Sequence, residues 1–254
     1  MSQGLYLYCV IDTGDARNFG PIGIGDRRDP VTTIAYRDLG AVVSTVPMDR
    51  YAVGRETMLG HERVIEKVMV DHTVLPARFY TVAPGAEEVR NLLRSGYSEF
   101  KALFRRLDNK VELGLKALWR DMDQVLTEAA EEASHLLSHR APPTREEFIQ
   151  QTRAALERTK AQVAELLMQP LRTLAVDLRL HRTYGDDMIL NAAFLVDRTR
   201  EREFDARLEH LAARCSDSIE LKYVGPAPPY SFVTLVIRHK SQPGPTPRGG
   251  GIQE

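Results

Sequence analysis

The sequence predicts an α+β protein: an N-terminal sheet domain of α/β type, a helical, coiled-coil-like middle, and a small C-terminal ferredoxin-like βαββ unit. Three observations carry this reading. Gly4-Leu5-Tyr6-Leu7-Tyr8-Cys9-Val10-Ile11 is apolar on both faces, as a central strand is. Val111, Leu113, Leu115, Ala117 and Trp119 alternate with Glu112, Gly114, Lys116 and Leu118, the period-two signal of a strand. Phe148, Thr152, Leu156, Thr159, Val163 and Leu166 recur at spacings of four and three, the seam of a helical hairpin.

The remaining elements follow in order. After a loop holding Gly20, Pro21, Gly23 and Gly25, Val31–Tyr36 and Ala41–Val46 form a hairpin closed near Asp38 and Gly40. Met58, Val64, Ile65, Val68 and Met69 share one face of a helix over Glu56–Asp71. Thr73–Val82 returns to strand character, with Pro76 marking an edge or irregularity. Val89 to Leu107 is amphipathic and breaks at Gly96. Asp121 and Asp123 open a helix that His135, His139 and Arg140 close, matching charge to its dipole. Thr144 with Glu147 is a capping-box pair, and Pro170 kinks or ends the helix it starts. Met188–Val196 reads as a strand, Phe204, Leu208, Leu211 and Cys215 as a helix face, and Ile219, Leu221 and Tyr223 as an alternating strand. A rigid turn, Gly225–Pro229, leads to a last strand over Ser231–Ile237. These elements divide the chain at 1–119, 120–183 and 184–240, with 241–254 as a disordered, Pro/Gly-rich tail.

Composition excludes some functions. Thirty-four Lys and Arg against 35 Asp and Glu give a net charge of −1, so no global field draws the chain to nucleic acid or an anionic membrane. Cys9 and Cys215 are two distant thiols, read as reduced. No targeting or membrane-spanning segment is legible, so a cytoplasmic protein is expected.

No catalytic constellation emerges, and no cofactor is expected. His61-Glu62 begins a zinc-protease motif, but Ile65 stands where its second histidine belongs. Glu131, His135 and His139 share a helix face, a pattern better explained by the helix dipole than by a metal. Gly20, Gly23 and Gly25 match no phosphate fingerprint, and Gly96-Tyr97-Ser98-Glu99-Phe100 lacks the second glycine of a nucleophile elbow. Tyr6 with Tyr8, or Tyr230-Ser231-Phe232-Val233, would suit an RNA-binding ferredoxin-like protein, but neither has basic neighbours to hold phosphates. That reading and an enzyme of unknown reaction are the alternatives to a protein-binding role.

Four collinear stretches together resemble the gas vesicle protein GvpL/GvpF family. They are Gly4–Tyr8 with Asp38–Ser44; His61–Glu66 through Thr73–Phe79; Phe100–Leu107 with Val111–Lys116; and Leu221–Val233. The resemblance implies an accessory protein of gas vesicle formation, a minor vesicle component or cytoplasmic helper. Its implied partners are the hydrophobic shell protein and other accessory proteins, with no nucleic acid, membrane or catalysis. A shell subunit with exposed apolar surface aggregates unless another surface covers it. On this reading Tyr223, Gly225, Pro226, Pro229 and Tyr230 form a pre-ordered partner-binding turn with an aromatic pair. Arg78, between Pro76 and Phe79, is expected to be at least half-buried in a structural ion pair.

Overall fold

The computed structural model describes residues 3–25, 27–47, 54–138, 142–233 and 235. Its first half contains β1 (Gln3–Ile11), β2 (Asn18–Gly20), β3 (Val31–Tyr36), β4 (Leu39–Pro47), α1 (Arg55–Met69), β5 (Val74–Pro76), β6 (Val82–Ala83), α2 (Ala86–Ser95) and α3 (Tyr97–Leu107). Then come β7 (Lys110–Trp119), α4 (Met122–Leu137), α5 (Arg145–Arg172), β8 (Ala175–Leu180), β9 (Met188–Asp197), α6 (Glu201–Cys215) and β10 (Ile219–Ala227). The disordered tail expected over 241–254 lies outside the described residues.

The first sheet has the order β2-β3-β4-β1-β5, with β6 also on β1, and its strand pairs are antiparallel. The apolar character of β1 on both faces has a direct cause, because helices cover both. Leu7 and Val10, with Leu39, Ala41 and Val43 of β4, meet Val89, Leu93, Phe100 and Phe104 of α2 and α3. Tyr6, Tyr8, Cys9 and Ile11 meet Val64, Ile65 and Val68 of α1. A register shift between Leu7 and Cys9 places the consecutive Tyr8 and Cys9 in the same core, as a bulge does. The break foreseen at Gly96 separates α2 from α3, and Phe100 shows why glycine stands there: a Cβ would lie 2.5 Å from its ring. Met58, assigned to the buried face of α1, is 46% exposed.

The second sheet has the order β10-β7-β9-β8. With α4 and α5 between β7 and β8, and α6 between β9 and β10, it is a βαββαβ ferredoxin-like sheet. The expected fold is present, but its membership differs from the sequence reading. β7, grouped with residues 1–119, pairs instead with β9 and β10. β8 lies inside the segment read as wholly helical. Its alternation is obscured because it is an edge strand, with Val176 59% and Leu180 61% exposed. The Asp177 carboxylate, held by Arg106, accepts from the Leu178 amide at 2.8 Å and so occupies a donor on this strand. Of the last strand anticipated over Ser231–Ile237, the described residues hold a turn over 230–232 and a single parallel bridge from Leu235 to Ala77. The amides of Phe232 and Val233 donate back to the Pro229 carbonyl at 3.1 and 3.0 Å instead of to a neighbouring strand.

The capping box of Thr144 and Glu147 is formed, with the Thr144 amide donating to Glu147 Oε2 at 2.8 Å. Pro170 lies in the last turn of α5, which ends two residues later at Arg172. The foreseen seam is only partly buried. Ala155 and Leu156 pack with Ala129, Met122 and Val125 of α4, but farther along α5 it is Leu167, Met168 and Leu171 that join the second sheet's core. Leu166, expected in the seam, is 67% exposed. At 100° per residue it lies on the side turned away from those three. Leu156→Ala is therefore expected to cost about 2–5 kcal/mol and Leu166→Ala about 0.5 kcal/mol or less. Urea unfolding of both variants checks the contrast, and equal costs would contradict this packing.

Candidate functional site

The residues singled out as a partner-binding turn do not form one surface. Tyr223 projects from β10 toward α6, where its ring stacks on Phe204 at 6.4 Å and its hydroxyl donates to Asp205 at 2.7 Å. Burial is the leading cause that pushes its pKa up. Gly225 sits at φ 151°, a conformation that residues with a Cβ rarely adopt, and a Cβ there would also crowd Leu113 Cδ2 at 2.8 Å and the Glu112 carbonyl oxygen at 3.1 Å. Around these two residues the outer edge of β10 is open: Val224 is 65% exposed and Pro226 is also exposed. Pro229 and Tyr230 belong elsewhere. Tyr230 packs into the α1 side of the first sheet with Tyr6, Tyr8 and Phe79, and burial raises its pKa as well. The aromatic pair proposed on a single turn is thus divided between two cores, because the chain after Ala227 leaves the second sheet for the first. Arg78 is likewise corrected. It is exposed, and among the described residues it forms no ion pair; its backbone supplies the contacts, with its amide donating to the Leu235 carbonyl at 2.9 Å.

Residues 228–233 and 235 belong to a strap between the sheets, and its fastening is polar. The amide and hydroxyl of Ser231 donate to the two carboxylate oxygens of Glu112, at 2.7 and 2.6 Å. With that proton committed, Ser231 Oγ accepts from His181 Nε2 at 2.9 Å. A serine, a histidine and a glutamate thus meet without the arrangement of a catalytic triad: the carboxylate takes the serine proton, and the histidine donates rather than accepts. Burial raises the Glu112 pKa, and the Ser231 bonds offset part of that cost. Beyond Ser231, Phe232, Val233 and Leu235 enter the first sheet's core beside Ala193 and Leu195 of β9. The Leu235 amide donates to the Pro76 carbonyl at 3.1 Å.

A second polar junction lies under α1. His61, only 2% exposed, stands between Tyr6, Tyr8 and Phe79, with ring centroids 5.6, 5.8 and 5.7 Å away. Its Nδ1 lies 3.1 Å from the Tyr6 hydroxyl, which also accepts from the Tyr80 amide at 2.9 Å. The Tyr8 hydroxyl accepts from the Ile24 amide at 2.7 Å and meets Ser44 Oγ at 2.8 Å. Burial lowers the His61 pKa to about 4, against a smaller opposing effect of the Ala77 backbone. In the sequence His61 stands out as half of a failed metal motif and as the start of one of the four family-like stretches, neither of which marks it as buried. The buried i, i+3, i+4 pattern of His61, Val64 and Ile65 was the signal for a core histidine.

Other surfaces are less developed. Two adjoining clefts of about 480 and 270 Å³ lie where α1, α3 and β7 meet, with Asp71, His72 and Asp108 on both walls. Among the described residues no three His, Cys, Asp or Glu side chains are grouped to hold a metal; His139 lies outside them. Tyr6 and Tyr8 have no exposed surface on which a base could stack. On the face opposite α5 and α6, the central strands β7 and β9 carry Glu112, Gly114, Lys116, Asn191, Ala193 and Leu195, none aromatic. No described helix is long and apolar enough to cross a membrane.

These features define a two-sheet α+β protein whose buried polar clusters fasten its layers together. The chain belongs to the GvpL/GvpF family: the family model for gas vesicle synthesis protein GvpL/GvpF matches residues 4–234. It is 31% identical over 219 residues to gas vesicle protein F of Streptomyces sp. (strain CB03234), covering 83% of this chain and 91% of that one. It is 28% identical over 247 residues to gas vesicle protein F of Microcystis aeruginosa (strain PCC 7806), covering 93% and 100%. Among solved structures, GvpF from Anabaena sp. PCC7120 superposes with a TM-score of 0.79 at 23% identity, over 92% of this chain and 99% of that one. GvpF from Microcystis aeruginosa gives 0.77 at 25% identity, over 91% and 99%. The chain is therefore a gas vesicle-related protein with the GvpF fold.

Proposed function

We propose that this chain is a non-catalytic accessory protein of gas vesicle formation that binds the hydrophobic shell protein and assists its assembly. It would do so in the cytoplasm or as a minor vesicle component, alongside other accessory proteins. The observation that carries the reading is the family match along nearly the whole described chain. The contact region we propose keeps the outward part of the original turn, namely Tyr223, Val224, Gly225 and Pro226 on the edge of β10. An exposed valine beside a half-exposed tyrosine offers apolar area. Pro226 lacks an amide that could extend the sheet into an aggregate. Pro229 and Tyr230 contribute by holding the strap.

Val224→Asp tests this directly, since the side chain is mostly in solvent and the fold is expected to tolerate it. Capture of the shell protein should fall about tenfold or more while the melting temperature stays within about 2 °C. Normal capture by a normally folded variant would place the contact elsewhere. The pair Pro229→Ala with Tyr230→Ala is expected to lower stability instead, through Tyr230's place in the core.

A further inference from the structure

The turn between β3 and β4 has only two residues, Arg37 and Asp38. Arg37 adopts φ 53°, the left-handed region that disfavours a residue with a Cβ and favours glycine. The turn is also closely seated: a Cβ on Gly14 would lie 2.0 Å from the Arg37 carbonyl oxygen. An arginine held in this conformation calls for a reason beyond turn geometry.

Its side chain supplies one. The guanidinium lies 5.5 Å from the Tyr36 ring centroid and 5.0 Å from that of Tyr97, and the two rings meet edge to face at 6.2 Å. Arg94 places a second guanidinium 5.6 Å from Tyr36. The neighbouring acid is already engaged: Asp38 accepts from the Tyr97 hydroxyl at 2.6 Å and pairs with Lys101 at 2.9 Å. Arg94 is near Glu87 at 3.7 Å, whereas Arg37 has no carboxylate within 4.0 Å among the described residues. The cluster therefore holds an exposed arginine by ring contacts and leaves its fork of N–H donors for an acceptor. Tyrosine and arginine together are the side chains that dominate protein interfaces.

We propose that Arg37, supported by Tyr36, Tyr97 and Arg94, is a recognition residue for a carboxylate-bearing segment of a protein partner. A single carboxylate fits the guanidinium fork in two parallel bonds. A polyphosphate chain fits poorly, because Lys101 and Arg94 beside Arg37 are already paired with Asp38 and Glu87, which leaves no run of unpaired cations for it to follow. The surface lies on the first sheet and requires nothing of shell binding at β10.

The test is Arg37→Gly, which relieves the backbone while removing the guanidinium. A short Glu/Tyr peptide with a single Glu among tyrosines is titrated calorimetrically into the whole chain and into the variant, with a Lys/Tyr peptide, single-stranded RNA and inorganic phosphate as comparisons. The Glu/Tyr peptide should bind saturably to the parent, and about tenfold or more weakly to the variant, whose melting temperature is unchanged or higher. A melting temperature lowered by several degrees would make Arg37 structural glue and overturn the proposal. So would absent peptide binding, undiminished binding by the variant, or RNA or phosphate binding as tightly as the peptide.

Discussion

A chain ending at Pro228 is expected to lose on the order of 5 kcal/mol or more of folding stability, whereas one ending at Lys240 melts at an unchanged temperature. Ending at Pro228 removes Phe232, Val233 and Leu235, which are 8, 7 and 7% exposed. Burying each such side chain contributes about 1.5–3 kcal/mol, as an upper estimate for a chain whose unfolded state is already partly compact. It also takes both Ser231 donors from Glu112, leaving a desolvated carboxylate without its partners. The backbone bonds joining Leu235 to Pro76 and Arg78 go as well. Ser241–Glu254 has little apolar side chain beyond Ile252 to offset the entropy of ordering. Thermal and urea unfolding of both truncations checks the expectation. A Pro228 truncation as stable as the parent would mean that the strap contributes nothing to the shared core.

Acid should release α1 before it affects most of the molecule. His61 has a folded pKa of about 4, below the 6.5 of its unfolded state. Between those values the unfolded chain binds the proton and the folded chain does not, so stability falls as pH drops through this window and rises as pH increases. The separation corresponds to about 3 kcal/mol, fully present above pH 6.5 and lost by about pH 4. Protonation also makes both ring nitrogens donors, so Nδ1 can then only donate to the Tyr6 hydroxyl, which already receives the Tyr80 amide. His61→Leu is expected to be less stable than the parent at neutral pH but flatter in stability across the window. Asp38, with a pKa lowered to about 2 chiefly by its Tyr97 hydrogen bond, acts below its ordinary carboxylate range, so the two groups are separable. Urea midpoints from about pH 7 to 4 on both proteins decide the matter. An imidazole titrating near its ordinary value by NMR would refute a buried, neutral His61.

The strap also bears on the two proposed contacts. The β10 edge belongs to the second sheet and the Arg37 turn to the first, and Ser231 and Leu235 of the strap join the two through Glu112 and Pro76. A variant that loosens the strap could therefore impair partner binding without touching either surface.

By itself the sequence determined the α+β class and most of its elements: the central strand β1, the β3–β4 hairpin, α1, the break at Gly96, β7 and the capped start of α5. Each is written in local terms, as a period of two or 3.6 residues, a turn residue or a cap, and neighbours within a few positions suffice to specify it. The four quoted stretches also made the family legible. Only the tertiary structure decided that β7 joins β9 and β10, since its alternation shows that a face is buried but not by which sheet. The same holds for Leu166, whose spacing fits a seam that α5 buries through other residues, and for β8, whose edge position leaves apolar side chains in solvent. Tyr223 and Tyr230 lie seven positions apart, yet a strap carries one away from the other. Arg78 stays exposed because its backbone, rather than its charge, makes the connection to Leu235. His61 became a buried junction only when α1 settled on Tyr6 and Tyr8. In each case the deciding partner is distant in sequence, and burial, which sets both pairing and pKa, exists only once the sheets and helices have come together.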